Sequence, residues 1–151
     1  RQGFHLRIAG SYDRDNQRCR RLLPVIASHP EALLLGFVDD LAAEFAQCDA
    51  QILAAGSKSG LQTRFIEAFA AGLPVLCVTS AAAGIEGVEP GRNMLVRDTP
   101  QDLARECRDL IANPERLADI AAEARALYDR VHSRAAVATR LQEFLARYFS
   151  I

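Results

Sequence analysis

Residues 51–79 constrain the fold more than any other stretch of the chain. The pattern predicts a strand at 51–55, a turn at 56–60, a helix at about 62–71 and a strand at 75–79. Gly72 follows the helix as a terminating glycine does, and Pro74 opens the second strand. Such a unit directs the free N–H groups of the helix start toward the strand ends, which favours anion binding.

Two charged residues within this unit favour a binding function. Lys58 is the single lysine of the chain, and Glu67 lies one to two turns into the predicted helix. At about 1.5 Å per residue, Glu67 stands roughly 7 Å above the helix start, about the distance from a diphosphate to a ribose. The alternative is that Glu67 is a solvated helical glutamate and that the glycine-rich turn is only structural.

The remaining elements predict an α/β fold with a Rossmann-like parallel sheet flanked by helices. Further strands are predicted at 5–9, 32–36 and 94–96, and helices from about 16, at 41–47, 99–112, 114–131 and 133–149. The continuous apolar run 32–36 indicates a strand covered on both faces. Pro24 should kink or split the first helix. The predicted core residues include Leu22 and Ile26 in that helix, Cys77 in a strand, and Leu103, Leu110 and Ile111 in a later helix.

Length and composition exclude several classes of protein. The 151 residues favour one domain, and a net charge of −1 gives no nucleic-acid-binding signature. The four cysteines are far apart, which fits neither a zinc site nor a disulfide framework but fits a cytoplasmic protein. No signal peptide or membrane-spanning run is visible. His5, His29 and His132 share no motif, so no catalytic residue is assigned.

The segment SGLQTRFIEAFAAGLPV, residues 59–75, resembles the nucleotide-sugar loop of retaining GT-B glycosyltransferases of the group 1 class. Glu67 falls on the second of the two family glutamates, whereas Ser59 stands at the position of the first. Ser59, Gly60 and Glu67 fit a subset of the family, with Arg64 at that subset's lysine position. The segments AGIEG (83–87) and GRNMLV (91–96) also resemble the family, and the resemblance extends from Phe4 to the end of the chain.

This resemblance and the local pattern together predict a nucleotide-sugar site. The amides near Leu61 suit the diphosphate. The resemblance implies that Glu67 binds the ribose and that backbone groups of Val38 lie beside the base. Arg64 and Lys58 would neutralise phosphate or, alternatively, lie on the surface, and Phe37 and Val38 would alternatively pack in the core. The predicted site residues are Val38, Lys58, Ser59, Gly60, Leu61, Gln62, Thr63, Arg64 and Glu67. A nucleotide-diphosphate sugar is the expected donor, and no metal or other cofactor is expected in this domain.

The resemblance also implies a domain organisation. Residues 1–151 would form the donor-binding domain, lacking its first strand–helix unit and the N-terminal acceptor domain. The helix at 133–150 would return toward that missing domain, so part of its apolar stripe should lie exposed or pack against another molecule.

The implied parent enzyme transfers a sugar to a glycan or lipid-linked acceptor with retention, in cell-surface polysaccharide or glycolipid synthesis. It would be cytoplasmic or peripheral at the inner face of the membrane. The fragment alone should bind nucleotide weakly, transfer no sugar and self-associate. The alternatives are a sugar-nucleotide epimerase of the same fold and a non-catalytic α/β interaction module.

Overall fold

The computed structural model describes residues 4–54 and 63–149. The chain divides into two compact units, Arg1–Glu44 and Phe45–Ile151. The strands are β1 Leu6–Ala9, β2 Ala32–Gly36, β3 Gln51–Leu53, β4 Val75–Val78 and β5 Leu95–Arg97. The helices are α1 Gln17–Ala27, α2 Leu41–Phe45, α3 Thr63–Ala70, α4 Thr79–Ala82, α5 Pro100–Ala112, α6 Pro114–Leu127 and α7 Arg134–Phe149, with a π-helical turn at Tyr128–His132.

The first unit is a strand–helix–strand arrangement. β1 and β2 pair in parallel, and α1 connects them and contacts β2. Asn16 caps α1, because its side-chain oxygen accepts a hydrogen bond of 2.9 Å from the Arg18 amide. Arg7 on β1 forms an ion pair of 2.6 Å with Glu44. The strands and the helix predicted for this part of the chain are confirmed.

Three details of the first unit differ from the sequence prediction. α1 continues through Pro24, whose carbonyl still accepts a hydrogen bond from Ser28, so the proline does not split the helix. Leu22 is exposed rather than buried. Leu33 is also exposed, since alternate strand residues face opposite sides and Leu33 lies on the side away from its neighbours Ala32 and Leu34. Among residues 4–54 and 63–149, no element covers the side of β2 that bears Leu33.

The second unit contains a parallel sheet with the strand order β3-β4-β5. All four residues of the central strand, β4, are buried. The parallel pairing is as predicted, but among the described residues the hydrogen-bonded strands form two sheets, β1–β2 and β3–β4–β5, instead of one. In these two sheets, β1 and β3 each have one hydrogen-bonded neighbour.

The core of the second unit lies between β4 and the helices. Phe65 and Phe69 of α3 are fully inaccessible to solvent, as the amphipathic pattern predicts. Cys77 on β4 is also fully buried, and this burial raises the pKa of its thiol to about 11. The other fully buried large side chains of this core include Leu76, Met94, Leu95 and Leu127.

The predicted end of α3 at Gly72 and the predicted start of α5 at Thr99 are both confirmed. Gly72 adopts φ +68°, and the amides of Gly72 and Leu73 bond to the carbonyls of Phe69 and Ala68, which is the Schellman pattern of helix termination. The Thr99 hydroxyl accepts a bond of 3.1 Å from the Asp102 amide at the start of α5. Hydrogen bonds from Thr99 and Arg105 hold the pKa of Asp102 below its usual range.

Other features of the second unit were not predicted. The short helix α4 follows β4 directly, where the sequence analysis assigned no helix. The π-helical turn Tyr128–His132 separates α6 from α7. Ile111 was predicted to face the core but is exposed. The buried residues of α5 are Leu103, Glu106 and Leu110.

Replacing Gly87 by alanine should destabilise the second unit. A Cβ atom at Gly87 would lie 2.5 Å from Cδ1 of Leu127, a fully buried side chain that would have to shift. Overpacking of this kind typically costs about 1–3 kcal/mol, in addition to the positive φ of +79°. Gly84→Ala is the matched control, since Gly84 also has a positive φ but a Cβ there meets no atom within 4 Å. Urea unfolding should show the larger loss for Gly87→Ala, and equal losses would contradict the clash.

Candidate nucleotide-sugar site

The carboxyl ends of three strands define one edge of the second unit. The register pairs Leu53 with Cys77 and Val78 with Arg97, so β3, β4 and β5 end at the same edge. α3 follows β3 and precedes the parallel strand β4, so the chain leaves β3 at this edge and returns through α3 to the start of β4. The N-terminus of α3 therefore lies toward the edge at which open parallel sheets bind their ligands.

Three polar residues of α3 form the exposed face of this helix. Thr63, Arg64 and Glu67 are exposed, whereas Phe65 and Phe69 on the other side are buried. Thr63 and Glu67 are four residues apart, so they lie on one side of the helix about 6 Å apart along its axis. A hydroxyl, a guanidinium and a carboxylate are thus presented within one turn of the helix start.

The remaining predicted site residues are placed as follows. Lys58, Ser59, Gly60, Leu61 and Gln62 lie outside the described residues, so their roles remain predictions. Val38 belongs to the first unit, two residues beyond the end of β2, and is half-buried. Its neighbour Phe37 is 72% exposed, so the alternative in which Phe37 packs in the core is wrong.

A hydrogen bond connects two strand ends at the carboxyl edge of the second unit. The Thr79 hydroxyl, directly after β4, donates to Asp98 Oδ1 at 2.8 Å, directly after β5. This contact fixes the spacing of the two strand ends. The local sequence pattern does not predict this bond, because its two residues are 19 positions apart in the chain.

The segment AGIEG and the first four residues of GRNMLV belong to the connection between α4 and β5, which buried and charged groups hold in place. Asn93 is buried; its side chain accepts from the Glu89 amide at 2.8 Å and donates to the Gly87 carbonyl at 3.0 Å. Arg140 of α7 forms a hydrogen-bonded ion pair of 2.8 Å with Glu86. These residues organise the connection between α4 and β5, and the role of Asn93 in it depends on contacts that the local sequence pattern does not predict.

A buried carboxylate supports the end of β5. Glu106 of α5 is buried between Arg97, which donates a hydrogen bond to Oε2, and Arg116, which lies 2.8 Å from Oε1 as an ion pair without a hydrogen bond. Arg97 also donates to the Val96 carbonyl at 2.8 Å. The Arg97–Glu106–Arg116 triad therefore attaches the carboxyl end of β5 to α5 and α6.

Across residues 4–54 and 63–149, no cluster of three or more His, Cys, Asp or Glu side chains is arranged to hold a metal ion. The helices of the same ranges include none with the length and apolar character needed to cross a bilayer. Cys19, Cys77 and Cys107 are free thiols.

The parallel strands flanked by helices define the Rossmann-like C-terminal domain of GT-B glycosyltransferases. The sequence profile of the family "Glycosyl transferases group 1" matches residues 1–113, and the chain belongs to this family. No curated protein matches the sequence.

Several solved structures share the fold. Alr3699/HepE of Anabaena, in complex with UDP, is 22% identical with a TM-score of 0.83 over 95% of this chain and 41% of that chain. Sucrose-phosphate synthase of Thermosynechococcus elongatus is 20% identical with a TM-score of 0.76, over 97% and 39%. The C-terminal domain of LpcC, a group 1 glycosyl transferase of Francisella tularensis, is 18% identical with a TM-score of 0.70, over 82% and 66%. The chain thus spans about two fifths of the length of HepE.

Proposed function

We propose that this chain binds the donor of a glycosyltransferase that moves a sugar from a nucleotide diphosphate to an acceptor, with retention of configuration. The observation that carries the proposal is the exposed carboxylate of Glu67, one turn above the start of a helix at the carboxyl edge of a parallel sheet. Membership of the group 1 family supports the same function. HepE, a structure with this fold, is known in complexes with UDP and with UDP-glucose.

The chemistry of each group on α3 suits one part of the donor. The amides at the start of the helix suit the diphosphate, and both oxygens of Glu67 can accept hydrogen bonds from the adjacent ribose hydroxyls. Thr63 contributes its amide and Arg64 its positive charge near the phosphates. We extend the site to Lys58, Ser59, Gly60, Leu61 and Gln62, whose roles rest on the sequence. The donor is a substrate, and we assign no metal to this domain.

Glu67→Ala should weaken nucleotide binding by about 1.5–3 kcal/mol, because a hydrogen bond to a charged group contributes about this much. The variant should be as stable as the wild type, since Glu67 is exposed. Isothermal titration of the chain with UDP and with other nucleoside diphosphates measures the effect, and Glu143→Ala, at an exposed glutamate of α7, is the control.

The titration separates three outcomes. A loss of nucleotide affinity in Glu67→Ala but not in Glu143→Ala supports the ribose contact. An unchanged affinity in Glu67→Ala would show that Glu67 is a solvated surface residue. A wild-type chain that binds no nucleotide at all would favour the non-catalytic interaction module. Product analysis on the longer parent separates sugar transfer from epimerisation.

We further propose that the parent carries the first strand–helix unit of this domain and an N-terminal acceptor domain. The chain covers 41% of the HepE chain, which leaves room for both. The acceptor would be a glycan or lipid-linked glycan in cell-surface polysaccharide or glycolipid synthesis, reached from the cytoplasm or the inner face of the membrane.

The apolar stripe of α7 supports the proposal of a further domain. Val137, Leu141, Phe144 and Tyr148 recur at intervals of four and three residues, so they line one side of the helix. Each is between 47% and 61% exposed. The rings of Phe144 and Tyr148 lie 4.8 Å apart and form a continuous apolar surface. We propose that this stripe faces the N-terminal domain in the parent.

In the isolated chain the same stripe should drive self-association, because an exposed apolar surface is covered when two copies meet. Sedimentation of the chain should show a mass that rises with concentration. Leu141→Glu combined with Phe144→Glu should leave a monomer, whereas Thr139→Glu, an exposed position on the opposite side of α7, should not. A wild-type chain that stays monomeric at all concentrations would contradict this prediction.

A further inference from the structure

The last helix, α7, covers very little of its own surface. None of its 16 residues is buried, and all of them except Ala136 and Leu145 are exposed. A helix in a folded protein is usually stabilised and oriented by packing one face against other elements. Since α7 has little such packing, its direction depends on the polar contacts near its start.

One side chain of α7 reaches back across the joint between α6 and α7. Arg140, in the second turn of α7, donates a hydrogen bond of 2.8 Å to Glu86 Oε2 and another of 2.8 Å to the Val131 carbonyl. His132 Nε2 lies 3.0 Å from the Glu86 carbonyl, and this bond requires the proton on Nε2 because a carbonyl only accepts. These four residues, which we term the Glu86 cluster, connect the loop before β5, the π-helical turn and α7.

The backbone that carries Glu86 is itself anchored. The Asn93 side chain donates to the Gly87 carbonyl at 3.0 Å and accepts from the Glu89 amide at 2.8 Å. Gly87 also lies close to Leu127, since a Cβ atom at Gly87 would be 2.5 Å from Cδ1 of that buried side chain. The Glu86 carboxylate is therefore presented from a fixed position, and Arg140 is held by it.

The joint between α6 and α7 determines where the far end of α7 lies. Tyr128–His132 forms a π-helical turn, a feature that is frequent at functional sites. Ser133 then adopts an extended conformation, with ψ 154°, so α7 starts in a new direction. A helix of 16 residues is about 24 Å long, so a tilt of about 5° at the joint moves its far end by roughly 2 Å.

We infer that Glu86 and Arg140 are positioning residues for sugar transfer, which act through the direction of α7. The inference rests on the proposed function, in which the apolar stripe of α7 faces the N-terminal acceptor domain. The ion pair then sets the orientation in which the acceptor domain meets the donor domain. A misplacement of about 1 Å can cost on the order of a hundredfold in rate, so the pair affects the reaction from outside the proposed donor site.

The first test reverses charges in the longer parent. Glu86→Arg and Arg140→Glu each replace an attraction by a repulsion, and the combined variant restores the pair in the opposite order. An exposed ion pair shifts an equilibrium by a factor of up to about 5, and a like-charge pair shifts it similarly in the other direction. We therefore expect kcat to fall by a factor of about 5 to 25 in each single variant, with the KM for the donor unchanged. The combined variant should recover most of the wild-type kcat.

Glu123→Arg is the matched control. It breaks the exposed ion pair of 3.1 Å between Glu123 and Arg92, which joins the same loop to α6 instead of α7. This variant should keep the wild-type kcat. Thermal unfolding should be nearly unchanged in Glu86→Arg and Glu123→Arg alike, because exposed ion pairs contribute little to stability. A general loss of stability therefore cannot mimic the expected result.

The second test measures the direction of α7 in the 151-residue chain itself. Residual dipolar couplings of the backbone amides compare the orientation of α7 with that of α6. Leu141→Glu and Phe144→Glu are present in every sample to keep the chain monomeric. We expect a reorientation of α7 in Glu86→Arg, none in Glu123→Arg, and recovery when Glu86→Arg is combined with Arg140→Glu.

Each result decides a separate point. An unchanged direction of α7 in Glu86→Arg would overturn the inference whatever reaction the parent catalyses. A changed direction with an unchanged kcat would overturn it as well, because α7 would then not position the acceptor domain. A wild-type chain that binds no nucleotide, together with a parent that transfers no sugar, would instead overturn the proposed function. Reorientation and loss of kcat that are both reversed in the combined variant support the inference.

Discussion

The 151-residue chain, given a nucleotide-sugar donor and acceptor, is expected to form no measurable transfer product. The proposed reaction needs donor and acceptor held together in one oriented site. Proximity and orientation can lower a barrier by about 7–11 kcal/mol, and a chain that binds only the donor loses nearly all of this contribution. This is the largest effect expected for the protein.

The measurement is product formation by the chain and by its longer parent at equal concentration of protein and donor. The parent should transfer sugar at a measurable rate, and Glu67→Ala in the parent should reduce the affinity for the donor. Nucleotide binding by the isolated chain is the control that its fold is intact. Robust sugar transfer by these 151 residues alone would show that the proposed domain organisation is wrong.

The second large effect concerns the triad of Arg97, Glu106 and Arg116. Replacing both arginines by alanine should lower the free energy of unfolding by about 3–5 kcal/mol, because the buried carboxylate of Glu106 would lose its cationic partners. Chemical denaturation of the double variant and of each single variant measures this loss and its additivity.

Glu106→Leu is the informative comparison. This substitution removes the buried charge and introduces an apolar side chain of similar size. Arg97 and Arg116, whose side chains are 32% and 45% exposed, can still reach water. We therefore expect a much smaller loss than in the double arginine variant. A larger loss for Glu106→Leu than for the arginine pair would contradict the view that the buried carboxylate depends on the arginines. Glu115→Leu, at an exposed glutamate of α6, controls for the general effect of removing a negative charge.

The sequence alone determined those features whose causes lie within a few residues of each other. Thr99 and Pro100 define the start of α5 because a capping hydroxyl and a proline without an N–H group both suit a first turn. Gly72 ends α3 because glycine adopts the positive φ of the Schellman motif at little cost. The alternation of these strands and helices indicated the α/β class, and the segment 59–75 indicated the family.

Which side chains are covered follows from tertiary packing, because burial depends on what another element places on a given face. Glu106 and Asn93 are polar yet buried, since distant residues supply their ionic or hydrogen-bonding partners. Leu33 and Phe37 are apolar yet exposed, because within the described residues no element covers them. The Thr79–Asp98 bond likewise exists because parallel pairing brings the ends of β4 and β5 to one edge, a contact that local sequence does not encode.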